Sequence, residues 1–330
     1  MTTNSYIKQY PDLMAGKKIM YVHGFGSSAQ SGTVTRLRDM LPSATVIAED
    51  IPVRPAEGFA MLLKMAETER PDLIIGTSMG GMYTEMLYGF DRILINPAFQ
   101  IADTMGAHGM TGKQVFQNPR RDGVQEFLVT KAIVKEYHDM QERCFSQQED
   151  PQRVWGLFGD EDPLVHTFPL FMEHYTQGIS FHGEHRTNDK VFVNSVIPVI
   201  RWIDDRQEGR SRPVVFISID TLRDARGMQH SSAMKAFRFL LETYNIYIVA
   251  KAPNYDPLYI KEVEEWTGDV VNVPAYGHLI FTNRTDLLLG DYLIDPLPDS
   301  GFMGTHVQFG SDTFKTWEEI IDFFTRLGGQ

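Results

Sequence analysis

Up to about Asp205 the chain alternates short apolar runs with stretches of helical length. "KKIMYVH", "ATVIAED", "PDLIIG", "DRILINP", "RVWGLFG" and "GISFH" read as strands, separated by amphipathic patterns such as "GFAMLLKMAETER" and "MYTEMLYGF". Strands that alternate with helices in this way predict a mostly parallel sheet with helices on both faces. The interval from Gln100 to Arg153 is long for one crossover, and its "VQEFLVTKAIVKEYHDMQERC" reads as helical, so extra helices covering the sheet edge are expected there.

Periodicity is lost in "DDRQEGRSRP", Asp204 to Pro213, which reads as a linker. "VVFISID" then starts a second α/β pattern, with helices at "SSAMKAFRFLLETY", "PLYIKEVEEWTG" and "FKTWEEIIDFFTRL" and a strand at "IYIVAKA". The expected division is a first domain at 1–205, a linker at 206–212 and a second domain at 213–330. With 330 residues of which 42% are hydrophobic, two packed cores are affordable. The net charge of −12 argues against a general affinity for nucleic acid or anionic membranes. The single cysteine, Cys144, forms no internal disulfide and has no activating neighbour in sequence. No signal-like or membrane-spanning run is seen, so a cytoplasmic location is the expectation. A homo-oligomer is neither required nor excluded.

Two glycine-rich turns compete for the chemistry. The first, Gly24-Phe25-Gly26-Ser27-Ser28-Ala29, follows a strand and fits the dinucleotide pattern G-x-G-x-x-G/A, with Glu49-Asp50 where a ribose-binding carboxylate would sit. The second, Gly76-Thr77-Ser78-Met79-Gly80, is G-x-S-x-G with a strand running in and a helix running out, the setting of a nucleophile elbow. Such a turn lifts the Ser78 hydroxyl clear of the sheet and puts it beside a helix N-terminus.

A serine nucleophile needs an acid and a base later in the chain, in the order Ser, Asp/Glu, His. The loop in "VWGLFGDEDPLV" offers Asp162, which is favoured, and Asp160 as the alternative. After the last strand, "ISFHGEHRTND" offers His185, placed in the loop rather than on the strand end as His182 is. "YVHGFG" then acquires another meaning. A His-Gly dipeptide closing such a strand aims a backbone N–H at an oxyanion, so Phe25 N–H and Met79 N–H are the expected donors. The dinucleotide reading recedes, because such a site requires neither the elbow nor these partners. Met105, Met110 and Phe127 are candidate walls of an apolar pocket.

With these residues assembled, the first ~205 positions resemble the YqiA-like bacterial esterases, an α/β-hydrolase family. "HGFGSSAQSGT", "IIGTSMGGMY", "LINPAF", "GDE" and "HGEH" stand where that family has HGF-x-SS-x-x-S, GSS-x-GGYY, VNPA, its acid loop and GG-x-H. The spacing within the acid loop departs from the family, which keeps Asp162 and Asp160 both open. The resemblance implies hydrolysis of short acyl esters or thioesters, with a small-molecule ester as partner.

The second domain resembles the haloacid-dehalogenase-like 5'(3')-deoxyribonucleotidases, through "VVFISIDTL", "IYIVAKAPN", "RTDLLLGDYLIDP" and "VQFGSDTFKTWEEIIDFF". This implies a Rossmannoid fold and, in intact members, aspartyl phosphoryl transfer with Mg²⁺. Here the nucleophile position is Ser218, the second aspartate remains as Asp220, the hydroxyl position is Ala250 and the lysine position is Thr285. The acidic pair is reduced to Asp295, and Asp291 also remains. A serine forms no acyl phosphate, and the lost lysine and metal ligand remove charge that a phosphoryl group needs. A degenerate domain serving packing or ligand sensing is therefore expected, with no cofactor and no retained Mg²⁺. The expected function is a serine esterase; the alternative is a nucleotide- or phosphate-responsive binding protein with a vestigial hydrolase site.

Overall fold

The computed structural model describes residues 7–147, 150–251, 256–298 and 301–328. The chain is of the α/β class and divides into two compact units, Met1–Glu208 and Gly209–Gln330.

In the first unit the elements run β1 (Lys18–Val22), α1 (Gly32–Met40), β2 (Thr45–Ile47), α2 (Pro55–Glu69), β3 (Leu73–Thr77), α3 (Met79–Glu85), β4 (Arg92–Ile95) and α4 (Ile101–Ala107). Then follow β5 (Gly112–Val115), β6 (Glu126–Val129), α5 (Lys131–Gln141), β7 (Val154–Gly159), α6 (Phe168–Met172), β8 (Gly178–Phe181), α7 (Asp189–Val191) and α8 (Ile197–Gln207). Six strands form one parallel sheet in the order β2-β1-β3-β4-β7-β8. Its central strands are the apolar runs expected of strands covered on both faces: Leu73, Ile74 and Ile75 of β3 and Ile93 and Leu94 of β4 are fully buried. Because every strand points the same way, the segments that follow β1, β3, β4, β7 and β8 all emerge at one end of the sheet.

The interval before β7 differs from the all-helical expectation. Residues 126–129 form a strand paired antiparallel with β5, and the helix begins only at Lys131. The reason is local. "EFLV" alternates, with Phe127 and Val129 turned inward and Glu126 and Leu128 outward, a period that suits a strand. Thr130 then caps α5, its hydroxyl accepting from Ile133 N at 3.2 Å.

The expected linker also starts late, since α8 continues to Gln207. Its polar residues are held by partners on the sheet's other end: Asp204 is buried 2.6 Å from Lys17 Nζ, while Arg206 and Gln207 reach the Asp91 carboxylate at 2.5 and 2.7 Å.

The second unit contains β9 (Val214–Ser218), α9 (Ile219–Leu222), α10 (Ala233–Leu241), β10 (Asn245–Ala250), α11 (Pro257–Val270), β11 (Leu279–Phe281), β12 (Tyr292–Asp295), β13 (Thr305–Gln308) and α12 (Trp317–Arg326). Its five strands are parallel in the order β11-β10-β9-β12-β13. β11, β12 and β13 add to the strands that periodicity marks. Its core gathers Val215, Ile217, Phe237, Ile248, Ile294, Trp317 and Phe324. Among the described residues no helix is long and apolar enough to cross a membrane.

Candidate active site

Ser78 lies in the turn between β3 and α3 with φ 56° and ψ −121°, a backbone region that costs a non-glycine residue energy and persists only where the surroundings enforce it. The enforcement is visible. Ser78 N donates to Ile95 O at 2.9 Å, and Ser78 O accepts from Ala98 N at 3.0 Å. The glycines flanking the turn permit the approach: a Cβ on Gly76 would collide with the backbone of Gly80, and one on Gly80 with Val22 O.

His185, in the loop after β8, places Nε2 3.0 Å from Ser78 Oγ and Nδ1 2.7 Å from Asp162 Oδ2. Asp162 is buried, and its other oxygen accepts from Leu164 N at 2.8 Å and Val165 N at 3.1 Å. Burial opposes ionisation of this carboxyl, but the His185 hydrogen bond and the two backbone donors outweigh it, holding Asp162 below the usual carboxylate range. An ionised Asp162 accepts from Nδ1–H, which leaves Nε2 free to accept from the Ser78 hydroxyl. Asp160 is engaged elsewhere: its carboxylate pairs with His182 Nδ1 at 2.5 Å and accepts from Gly183 N at 3.1 Å. The two aspartates of one short loop thus serve two histidines, and the one that reaches Ser78 is bonded to Asp162.

The "HGFG" turn lies against the nucleophile. Gly24 sits so close that a Cβ there would come within 3.2 Å of Ser78 Cβ. His23, buried, spans the base of the turn, with Nδ1 2.8 Å from Gly24 O and Nε2 accepting from Ile51 N at 3.0 Å. Both bonds require the neutral ring protonated on Nδ1. Burial lowers the His23 pKa to about 4, against smaller opposing effects of Gly24 O and Asp50. Met79 is the first residue of α3, so its N–H is among the donors a helix leaves without an intrahelical acceptor.

The dinucleotide alternative finds no support in this turn. α1 begins only at Gly32, and Asp50 is occupied by Ala29 N at 2.8 Å and Arg121 N at 2.7 Å, while Glu49 pairs with Arg121 at 2.7 Å. The acidic pair fastens the turn to the segment between β5 and β6. The same segment makes further bonds to it: Gln117 N to Gly26 O at 2.8 Å, Asn118 Nδ2 to Ser27 Oγ at 3.0 Å and Ser28 Oγ to Pro119 O at 2.7 Å.

Ser78 and His185 open onto a cavity of about 420 Å³ whose wall includes Met105, Met110 and Phe127. Three residues that the sequence did not single out shape the site. Asn96, after β4, is buried with φ 45°; its Nδ2 donates to Glu184 O and His185 O, each at 3.1 Å, and its Oδ1 accepts from Gly159 N at 2.7 Å. It ties the ends of β4 and β7 to the histidine loop. Tyr137 of α5 is fully buried, packs edge-on against Phe25 at 6.0 Å, and sets its hydroxyl 3.0 Å from Val53 O and 3.2 Å from Met79 Sδ. Arg36 of α1 also lines the cavity. The "LINPAF" stretch was the only pointer to any of the three. Cys144 is half-buried against the core, and burial pushes its thiol well above the usual range.

In the second unit, Ser218, Ala250 and Asp295 end three adjacent strands, β9, β10 and β12, and Asp220 follows in α9. Thr285 begins a short turn after β11. Asp291 does not belong to this group. It precedes β12 and accepts from Val214 N at the start of β9, at 2.7 Å, which puts it at the opposite end of the sheet. Ser218 is buried, and Asp295 Oδ1 is taken by Leu297 N at 2.7 Å. Ala252 to Asn254 of the "IYIVAKAPN" stretch lie outside the described residues. Among the described residues, no three His, Cys, Asp or Glu side chains come together as a metal site.

Residues 18–175 match the model of UPF0227, an uncharacterised protein family. A putative 5'(3')-deoxyribonucleotidase of Vibrio phage KVP40 is 29% identical over 139 residues, 41% of this chain and 77% of the phage protein. Among solved structures, Est1E from Butyrivibrio proteoclasticus aligns at 13% identity over 61% of this chain and 92% of its own, with a TM-score of 0.40. The thioesterase domain from the curacin biosynthetic pathway aligns at 14% identity over 59% and 92%, with a TM-score of 0.36. The esterase domain of a Rhodothermus marinus protein aligns at 17% over 61% and 90%, with a TM-score of 0.39.

Proposed function

We propose that the first unit is a serine hydrolase of the α/β-hydrolase type that cleaves short acyl esters or thioesters. The observation that carries this is the unbroken hydrogen-bonded chain from Ser78 Oγ through His185 to the buried Asp162. The match of residues 18–175 to UPF0227, the family of the YqiA-like esterases, supports it.

In this mechanism Ser78 Oγ attacks the acyl carbon while His185 Nε2 takes the hydroxyl proton. Asp162 holds the imidazole in place and offsets the charge it acquires. The carbonyl electron pair moves onto oxygen, where Phe25 N–H and Met79 N–H meet it. The intermediate collapses to an acyl-enzyme as His185 returns the proton to the departing alcohol or thiol. A water molecule, deprotonated by His185, then attacks the acyl carbon, and the second intermediate expels Ser78 Oγ, which recovers its proton and releases the acid. No step requires a metal or an organic cofactor.

We propose further that the second unit performs no phosphoryl transfer, because Ser218 replaces the nucleophile and Thr285 and Ala250 replace the groups that hold the phosphoryl oxygens. The similarity to the phage protein favours retention of a nucleotide or phosphate compound as a ligand, and thermal shifts with deoxynucleoside monophosphates test that.

A fluorophosphonate probe tests the main proposal. It should label the intact protein, and Ser78→Ala should abolish both labelling and hydrolysis of p-nitrophenyl butyrate. Absence of labelling on folded protein overturns it.

A further inference from the structure

The protein carries a net charge of −12, yet the described residues lining the Ser78 cavity include Arg36 and Arg186 and no aspartate or glutamate. Arg36 is built into the wall, and Arg186 is exposed at its rim. Arg36 is 14% exposed, its guanidinium lies 5.4 Å from the Phe192 ring centre, and among the described residues only its Nε is engaged by a hydrogen bond, donating to Asp189 Oδ1 at 2.7 Å. Its two Nη groups are the pair that grips a carboxylate or phosphate side by side. Arg186, next in sequence to His185, donates from Nη2 to the Gln117 side chain at 2.6 Å. That partner, another lining residue, is neutral, so the bond ties the guanidinium to the rim without cancelling its charge. The remaining wall supplies apolar surface from Ile101, Met105 and Leu164.

A cleft of one sign in a protein of the other sign focuses field on the ligand it receives. A purely hydrocarbon ester would gain nothing from two guanidinium groups, whose desolvation on its binding would be uncompensated. We therefore propose, on the hydrolase reading above, that the substrates are anionic: acyl esters or thioesters that carry a carboxylate or phosphate group, held by Arg36 and Arg186 while the acyl carbon meets Ser78.

Paired esters, one charged and one neutral in each pair, test this. The first pair is p-nitrophenyl hydrogen glutarate and its neutral methyl ester, with the charge on the acyl side. The second is 4-butyryloxyphenyl phosphate and phenyl butyrate, with phosphate on the alcohol side. At low ionic strength, at least one charged member should exceed its neutral partner in kcat/KM by about tenfold or more, and added salt should shrink the ratio. The pair that shows the preference identifies carboxylate or phosphate as the recognised group. Arg36→Gln should bring that ratio to about one, with Arg186→Gln lowering it less; the ratio is internally controlled, since both esters meet the same folded protein. A ratio of one or below in both pairs, or a ratio that survives both substitutions, overturns the proposal and leaves the hydrolase reading intact. Failure to hydrolyse any of the four esters removes both.

Discussion

Both units end a parallel sheet with a buried-strand serine, Ser78 after β3 and Ser218 at the end of β9, and both set a carboxylate at the same end of another strand, Asp162 after β7 and Asp295 at the end of β12. Their local states differ. Ser78 is forced to φ 56° and faces His185, whereas Ser218 has φ −62° and ψ 134°, ordinary extended backbone. The carboxylate behind Ser78 acts through a histidine, while Asp295 is spent on the backbone of Leu297. The lesson is that a sheet edge gathers chemistry-bearing groups by topology alone, but reactivity needs strain, a free hydroxyl and a chain of oriented hydrogen bonds.

The sharpest way to break this contrast is substitution of each serine. Ser78→Ala should lower kcat for p-nitrophenyl butyrate by roughly 10⁴- to 10⁶-fold, and Ser218→Ala should leave it within about twofold, as expected of independent sites. A comparable loss from Ser218→Ala would show that the units do not divide the chemistry in this way.

Next in size is the choice between the acid-loop aspartates. Asp162→Asn keeps the shape but favours the wrong imidazole tautomer, and should cost about 10³- to 10⁴-fold in kcat. Asp160→Asn acts on a pair with His182 that is largely in water, so a change within about threefold is expected. Steady-state kinetics on both variants decide it, and the reverse order would reassign the acid.

The grouping of Ser78, Asp162 and His185 is legible because strand, glycine turn and helix are contiguous in sequence, and because Asp162 and His185 each follow an apolar strand. The selection of Asp162 over Asp160 was only a preference, since two carboxylates two residues apart look alike until His182 and His185 divide them. Asn96 and Tyr137 bond to partners 89 and 58 residues away, and no local period announces such contacts. The β5–β6 hairpin is hidden for a different reason: "VQEFLVTKAIVKEYHDM" joins a strand period to a helical one, and Thr130 marks the border only through its capping bond.

Asn96 carries the third prediction. Asn96→Asp keeps the volume and the tolerance for positive φ, but replaces the donors to Glu184 O and His185 O by a group that repels them. A small displacement of the base is costly, so kcat should fall by about 10- to 100-fold with KM little changed. An unchanged kcat would mean that His185 is positioned by Asp162 alone.

A stability prediction follows from the buried His23. Below pH 6.5 the imidazole of the unfolded chain takes a proton that the folded one refuses until about pH 4. The unfolded state therefore binds more protons in this window, and stability falls as pH drops through it, then levels off. The loss amounts to about 3 kcal/mol. Urea unfolding between pH 7 and 4 should show this slope, and a His23→Asn variant should show a flatter one; equal slopes would remove His23 as the cause.

The smallest effect is expected at Tyr137, and it probes how the proposed oxyanion donors, Phe25 N–H and Met79 N–H, are held. If the backbone of Phe25 and Met79 is fixed mainly by the elbow and by His23, the Tyr137 hydroxyl contributes only the contact to Val53 O and Met79 Sδ, while its ring still packs on Phe25. Tyr137→Phe should then lower kcat by about two- to fivefold, much less than the 10²- to 10³-fold that follows loss of an oxyanion donor itself, with KM unchanged. Tyr137→Ala also removes the buried ring, and should destabilise the unit by about 3–5 kcal/mol. A loss of 10²-fold or more from the phenylalanine variant, on folded protein, would instead make the hydroxyl a principal support of the Met79 donor, and the oxyanion site would then depend on α5 as much as on the sheet.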